Sequence, residues 1–394
     1  MSGRAGGDAG GMGRGDNDAT AFGAAVLHVD VEANDGAARA TTIHSHRGVI
    51  RTPAFMPVGT RGTVRAIGTD DLERLGAQVV LGNTYHLMLR PGADVVGALG
   101  GLNRFMAWEG HTITDSGGFQ VFSLEPKVTN EGATFRSTYD GSSHTLTPES
   151  AVAVQQLLGA DIQMVLDVCP PLPSSAEVVR AAVDRTAQWA GRAVEAHRPV
   201  RVAGVSEQAL FGIVQGGVDL ALRVESAERT VDRRFDGYGI GGLSVGETRD
   251  EMLPALAAAL AHLPVDRPRY LMGVGDPVSV VEAIALGVDL FDCVLPTRLA
   301  RHGTLLTGSG RMNLRNARFA FDDGPIDPGC TCMVCERHSR GYIRHLLQVR
   351  EQSAARYCTL HNLHWLLRLV DRTRAAIVLG SLDEVRREVA EHWS

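Results

Sequence analysis

Cys330, Cys332 and Cys335 crowd into six positions, with Cys358, His361 and His364 downstream as candidates for a fourth donor. Thiolates at this spacing, completed by one more Cys or His, suit a tetrahedral zinc ion better than they suit a cluster of core thiols. A second chemical set is spread along the chain: Asn83, Asp115, Asp167, Gln215, Gly241, Gly242, Met272 and Asp292 each follow a short apolar run. One aspartate in such a place is more often a turn or a helix cap than a catalyst, so the weight lies in the set. Two carboxylates suit a glycosidic bond, one attacking the anomeric carbon and the other managing the leaving group's proton. A further carboxylate, a glutamine amide and glycine N–H groups complement the edge of guanine, so the set suits a purine on a sugar.

The elements that would carry these residues alternate. Eight apolar runs end in polar or glycine-rich clusters: AFMPV (54–58), VVLGN (79–83), HTITDSGG (111–118), IQMVLD (162–167), FGIVQGG (211–217), GYGIGG (237–242), RYLMGVG (269–275) and VDLFDC (288–293). Helical segments with start signals lie between them: Thr147-Pro148-Glu149, and Ser174 with Glu177 and Thr248 with Glu251 at capping-box spacing. The alternation predicts an α/β fold with a parallel sheet, and eight units match a (β/α)8 TIM barrel; a doubly wound sheet is the alternative. In a barrel all eight run ends converge on one mouth. Residues 23–50 read as strand and turn before the first unit, and 124–146 as a hairpin inserted after the third. The last helix is expected near 339–350 or in the stretch from Leu363.

Composition sets the outer bounds. The 394 residues are 44% hydrophobic and 21% charged, an ordinary globular balance. Residues 1–20, rich in Gly and Asp, read as a disordered tail, leaving 21–394 as the catalytic unit with a zinc-binding subdomain at about 304–365. No run is long and apolar enough to span a bilayer and no signal-peptide core is present, so a cytoplasmic protein is expected, in keeping with unpaired cysteines in a reducing compartment. The net charge of −6 argues against a nucleic-acid partner, yet Arg298 to Arg350 holds nine arginines and only four acids. That patch reads equally as an RNA surface or as a solvated face in a chain whose lone lysine is Lys127.

The motifs DSGGFQVFSL (115–124), QGGV (215–218), GGLSVGE (241–247), YLMGVG (270–275), FDCVLPTR (291–298) and the cysteine segment resemble the bacterial tRNA-guanine transglycosylases, the queuine tRNA-ribosyltransferase family, from about residue 24 onward. The resemblance implies a (β/α)8 barrel with a zinc subdomain whose fourth ligand is His361. It implies exchange of the wobble guanine in tRNAs with GUN anticodons (Asp, Asn, His and Tyr), with Asp292 as nucleophile and Asp115 as general acid/base. Ser116, Phe119, Asp167, Cys169, Gln215, Gly241, Gly242, Leu243 and Met272 are then the base-binding residues, with Phe119 and Met272 sandwiching the heterocycle. Gly273, Val274, Gly275, Asp276, Pro277, Val278 and Ser279 match one RNA-contacting stretch of the family. Thr297, Arg298, Leu299, Ala300 and Arg301 match another. Cys169 and Val245 are similar to the bacterial type, which implies preQ1 rather than queuine as the incoming base, and the family implies a homodimer. Val168 and Leu299 depart from the family pattern, where an acid and an Asn are common, and no appended RNA-binding domain is expected. The rival readings are a zinc-dependent hydrolase on the same barrel and a non-catalytic tRNA-binding protein.

Overall fold

The apolar runs form eight strands: Ala54–Gly59, Val79–Gly82, His111–Thr114, Ile162–Met164, Ala209–Val214, Gly237–Ile240, Arg269–Leu271 and Leu290–Cys293. All neighbours pair in parallel, and Leu290–Cys293 closes on Ala54–Gly59 with Phe291 opposite Phe55, so the computed structural model is a closed eight-stranded barrel rather than a doubly wound sheet. Runs such as Val79–Gly82 and Ala209–Val214 are buried at every position, because helices cover the outside while the barrel interior packs the other face. Residues 26–202 and 208–393 are described, so the tail expected at 1–20 lies outside the described residues.

The helix starts follow local chemistry. The Thr147 hydroxyl accepts from Ser150 N ahead of Pro148–Leu158, and Thr248 and Glu251 form the expected capping box ahead of Arg249–Leu260. The box expected from Ser174 and Glu177 does not form. Ser174 Oγ instead donates to Pro171 O, and Ser175 Oγ accepts from Val178 N, placing the cap one residue later.

Three strands, His28–Asp35, Ala38–Ser45 and Gly48–Thr52, make an antiparallel sheet where strand and turn were expected. It is tied to the N-terminal ends of barrel strands: Arg39 pairs with buried Asp289, Arg47 with Asp161, and Ser45 with His111. This end of the barrel is therefore sealed and the opposite mouth is left for chemistry. The insertion after the third barrel strand is a hairpin, Ala133–Arg136 and Ser143–Leu146, extended by the short strand Lys127–Val128.

After the eighth strand come the hairpin Thr304–Thr307 and Gly310–Asn313, and then helices Arg340–Val349, Gln352–Leu379 and Leu382–Trp393, so both expected helical stretches are present. The helix Gln352–Leu379 is about 42 Å long at 1.5 Å per residue. It carries His361 beside the cysteines and, further on, Arg374 donating to Thr41 O at the sealed end. The metal cluster is thus attached to an element shared with the barrel. Among the described residues no helix is long and apolar enough to cross a membrane.

Candidate active site and metal centre

The strand ends enclose a cavity of about 730 Å³ lined by Asp115, Asp167 and Asp292 together with Ser116, Gly241 and Met272. Asp292 is the penultimate residue of the eighth strand. Its Oδ1 accepts from the Tyr270 hydroxyl at 2.6 Å and from Gly273 N at 2.8 Å, while among the described residues no hydrogen bond is recorded to Oδ2. One oxygen is anchored and the other is available to the cavity. Burial raises the Asp292 pKa, and the two hydrogen bonds oppose that rise by favouring the carboxylate.

Asp115 follows the third strand and is held by Asn83 Nδ2 at 2.6 Å and by the N–H groups of Thr84 and Gly117 at 2.8 and 3.1 Å. Asn83 is itself the N-cap of Thr84–Leu89, accepting from His86 N, so a helix start fixes the amide that orients the acid. Burial pushes Asp115 up to about 7; the Thr84 and Gly117 N–H groups oppose it and the charge of Asp292 adds to it. A carboxyl with that value can give or take a proton near neutrality.

A second cluster lies across the floor. Asp167 accepts from Gln215 Nε2 at 2.6 Å and from Ser116 Oγ at 3.4 Å, and burial, opposed by these two bonds, pushes it up to about 6. Gln215 Oε1 is buried without a partner, so the amide retains capacity for a ligand edge. A Cβ at Gly242, where φ is +64°, would lie 2.2 Å from that oxygen, and one at Gly241 would lie 2.8 Å from Gln215 Nε2. Only glycine permits this approach. The Cys169 thiol is pushed up to about 12 by burial and by Asp167, so it stays protonated. Leu243 is buried at the cavity wall, and Phe119, 61% exposed, stands at the rim. The set can hold a flat donor-rich heterocycle beside two carboxylates of unequal proton affinity.

A family model described as queuine tRNA-ribosyltransferase matches residues 34–394. The queuine tRNA-ribosyltransferase of Symbiobacterium thermophilum is 52% identical over 359 residues, covering 91% of this chain and 88% of its own. That of Desulforudis audaxviator is 53% identical over 356 residues, covering 89% and 93%, and that of Moorella thermoacetica 48% over 371 residues, covering 94% and 97%. The chain belongs to the queuine tRNA-ribosyltransferase family. Members of this family are pentosyltransferases that act on tRNA, and the protein is an enzyme of that class.

The two segments expected to touch RNA in this queuine tRNA-ribosyltransferase family member divide by exposure. Gly273, Gly275, Asp276 and Arg298 line the cavity, and Arg301 is exposed just beyond it. Val274, Pro277, Val278 and Ser279 are buried at the start of helix Pro277–Ala285, where Asp276 caps Ser279 N; Thr297 and Ala300 are also buried, and Leu299 packs against the core. Val168 packs with the apolar cluster that contains Leu166 and Trp189.

The arginine-rich stretch is in part internal scaffolding. Arg315 and Arg344 donate to backbone carbonyls, and Arg340 binds Asp322 and Ile326 O. Arg311, which lines the cavity, pairs with Asp276 at 3.4 Å.

Tyr270 and Arg223 are absent from the expected site residues. Tyr270 lies within a recognised strand, but nothing local shows that its hydroxyl meets Asp292. Arg223 is fully buried in helix Leu220–Val231 and donates to the carbonyls of Gly217, Val214, Gly241 and Gly242. Its position in a helical run carries no hint that it ties together the backbone around Gln215.

Cys330, Cys332, Cys335 and His361 converge, with donor atoms all within 4.8 Å of one another. His361 Nδ1 lies 3.7, 3.5 and 3.3 Å from the three sulfurs, close to the roughly 3.5 to 3.8 Å separating ligands of a tetrahedral zinc. His361 Nε2 meets Leu306 O at 2.7 Å, which puts the proton there and leaves Nδ1 as the donor. The four residues could bind a metal ion.

Proposed function

We propose that this tRNA-guanine transglycosylase exchanges guanine at the wobble position of GUN-anticodon tRNAs for the 7-deazaguanine preQ1, through a covalent ribosyl ester on Asp292. What carries the reading is the unequal pair: Asp292 anchored through Oδ1 with Oδ2 available, and Asp115 pushed up to about 7 across the same cavity. Asp292 Oδ2 attacks C1′, the C1′–N9 pair leaves with guanine, and protonated Asp115 gives its proton to the departing base. Guanine leaves and preQ1 enters. Asp115, now a carboxylate, takes the N9 proton of preQ1; N9 attacks C1′ and Asp292 departs as carboxylate. Two inversions retain configuration.

Asp167 accepts from N1–H and N2–H of the base, and the Gly242 N–H and the second Nε2 hydrogen of Gln215 donate to O6. Phe119 and Met272 cover its faces and Ser116 orients Asp167. Arg298 and Arg301 contact bases or phosphates beside the reacting nucleotide, which is splayed from the anticodon loop. Cys330, Cys332, Cys335 and His361 would hold one structural zinc ion, and with four protein donors it would serve to cross-link the segment after the eighth strand to helix Gln352–Leu379 rather than to activate water. A cytoplasmic homodimer completes the reading.

Incubation with labelled guanine and with preQ1, using a GUN-anticodon tRNA and a control in which the wobble guanosine is replaced by adenosine, tests it. Label should enter the first tRNA only, and preQ1 should chase it out irreversibly. No incorporation of guanine or preQ1 would refute the assignment.

A further inference from the structure

The cavity has a second charged flank that nothing in the proposed reaction uses. Tyr139 lies beneath two guanidinium groups, with Arg61 Cζ 5.5 Å and Arg90 Cζ 5.2 Å from its ring centre. The three come from separate segments. Arg61 follows cavity-lining Thr60 at the end of the first barrel strand. Arg90 terminates helix Thr84–Leu89, whose N-cap Asn83 holds Asp115. Tyr139 sits in the connection between the two longer strands of the inserted sheet. The Tyr139 hydroxyl meets His86 Nδ1 at 2.9 Å, and His86 lines the cavity with both catalytic carboxylates. Burial and the charge of Arg61 lower the His86 pKa, which favours a neutral ring.

Both arginines are exposed, and among the described residues no ion pair is recorded for either. The nearby acid Asp140 accepts from Ser142 Oγ at 2.6 Å, and Arg90 is the smallest of the influences on its carboxylate. Other arginines are committed to acids, as Arg192 to Glu149 at 2.7 Å and Arg249 to Asp276 at 2.9 Å. The two guanidiniums therefore put uncompensated positive charge at the mouth of a chain of net charge −6. A guanidinium lying over a ring keeps its N–H edge free, which suits a phosphate, and the ring restricts the side chain beforehand.

The geometry points to a second RNA-binding platform, Arg61–Tyr139–Arg90, that grips the tRNA backbone beside the reacting nucleotide, at the part of the rim built by the segments after the first three strands. This rests on the tRNA reading above. Arg298 and Arg311 stand after the eighth strand, whereas the platform stands over the ends of the first three. Polyanionic RNA is the occupant, because the platform carries two positive charges and is continuous, through Thr60 and His86, with the cavity that takes the reacting nucleotide.

The test uses full-length enzyme and a GUN-anticodon tRNA, with wild type, the double variant Arg61→Gln with Arg90→Gln, and Tyr139→Leu. Dissociation constants are measured over a range of NaCl concentrations, with exchange kinetics, thermal midpoint and sedimentation mass alongside. The platform predicts that the double variant binds tRNA about tenfold more weakly at moderate salt and that its log Kd against log[salt] slope falls by roughly one to two. The KM for tRNA should rise far more than kcat falls. Tyr139→Leu should weaken binding with a smaller change of slope, since it removes organisation and no charge. Unchanged Kd and slope in the double variant overturn the proposal, as does a lowered thermal midpoint with intact binding, which makes the cluster a brace for the insertion. A changed mass with unchanged tRNA binding assigns the face to contact between copies. If the wild type fails to exchange guanine, the transglycosylase reading falls, whereas a wild type that exchanges and a double variant that binds normally remove the platform alone.

Discussion

The Tyr270 hydroxyl donates to Asp292 Oδ1 at 2.6 Å, from the strand that neighbours the one carrying Asp292. This bond favours the charged carboxylate against burial and anchors Oδ1, leaving Oδ2 for the proposed attack. Tyr270→Phe keeps the ring and removes the donor. A hydrogen bond to a charged group is worth about 1.5–3 kcal/mol, so the rate of the first displacement should fall roughly 10- to 100-fold. The KM for tRNA should hardly move. Since the lost bond was lowering the Asp292 pKa, the acid limb of the pH–rate profile should shift to higher pH. Single-turnover guanine release across pH reads both effects.

Asp115 is pushed up to about 7 by burial, so in the proposed exchange the two half-reactions should respond to pH with opposite sign. Guanine departure needs the protonated acid, which is depleted as pH rises through 7. Incorporation of the incoming base needs the carboxylate, which is depleted as pH falls through 7. Rapid-quench measurements of each half-reaction should therefore give limbs that cross near neutrality. In Asp292→Asn the neighbouring negative charge is gone, so the Asp115 pKa should fall. Parallel limbs in the two half-reactions would remove Asp115 from the proton transfer.

The architecture was legible where it depends on local pattern. Runs such as Val79–Gly82 are short, apolar and followed by polar clusters, and the Thr147 and Thr248 caps are chemically self-sufficient, so eight strands and several helix starts could be read directly. Ser174 and Ser175 are chemically equivalent neighbours, and only the hydrogen bond from Ser174 to Pro171 O decides between them. Asp115, Asp167, Gln215 and Asp292 were visible because strand ends must converge in a barrel. Tyr270 and Arg223 were not, because their roles are contacts across strands or from a helix to loops. The arginines from Arg298 to Arg350 show the limit of counting charge: Arg340 is committed to Asp322, while Arg298 lines the cavity.

Arg223 is buried with four carbonyl partners from the loops around Gln215 and Gly242, and burial lowers it to about 10, so it remains a cation. Arg223→Met leaves those carbonyls unpaired, with a cost of about 1–3 kcal/mol for each buried group left unsatisfied. The variant should lose thermal stability, and the KM for guanine should rise at least tenfold while the KM for tRNA changes little. Arg223→Lys should recover part of the stability and less of the base affinity, because one ammonium cannot span four acceptors. Equal changes in both KM values would make the residue a purely global prop.

Removal of the metal should affect folding before chemistry. Cys332→Ser should bring zinc content, read by elemental mass spectrometry, close to zero and lower the thermal midpoint by several degrees. Brief exposure of the intact enzyme to a chelator should leave guanine exchange unchanged, and only prolonged exposure should lower it, in step with unfolding. An immediate stop that zinc reverses at once would move the ion into the reaction and favour a hydrolase.

The covalent adduct bears most directly on the central role given to Asp292. Wild-type enzyme mixed with a GUN-anticodon tRNA and denatured without added base should show a protein–tRNA band that disappears when guanine or preQ1 is supplied first. Asp292→Asn should bind the same tRNA, form no such band and exchange no labelled guanine. A band of undiminished yield in Asp292→Asn would contradict the assignment and place the nucleophile elsewhere in the cavity.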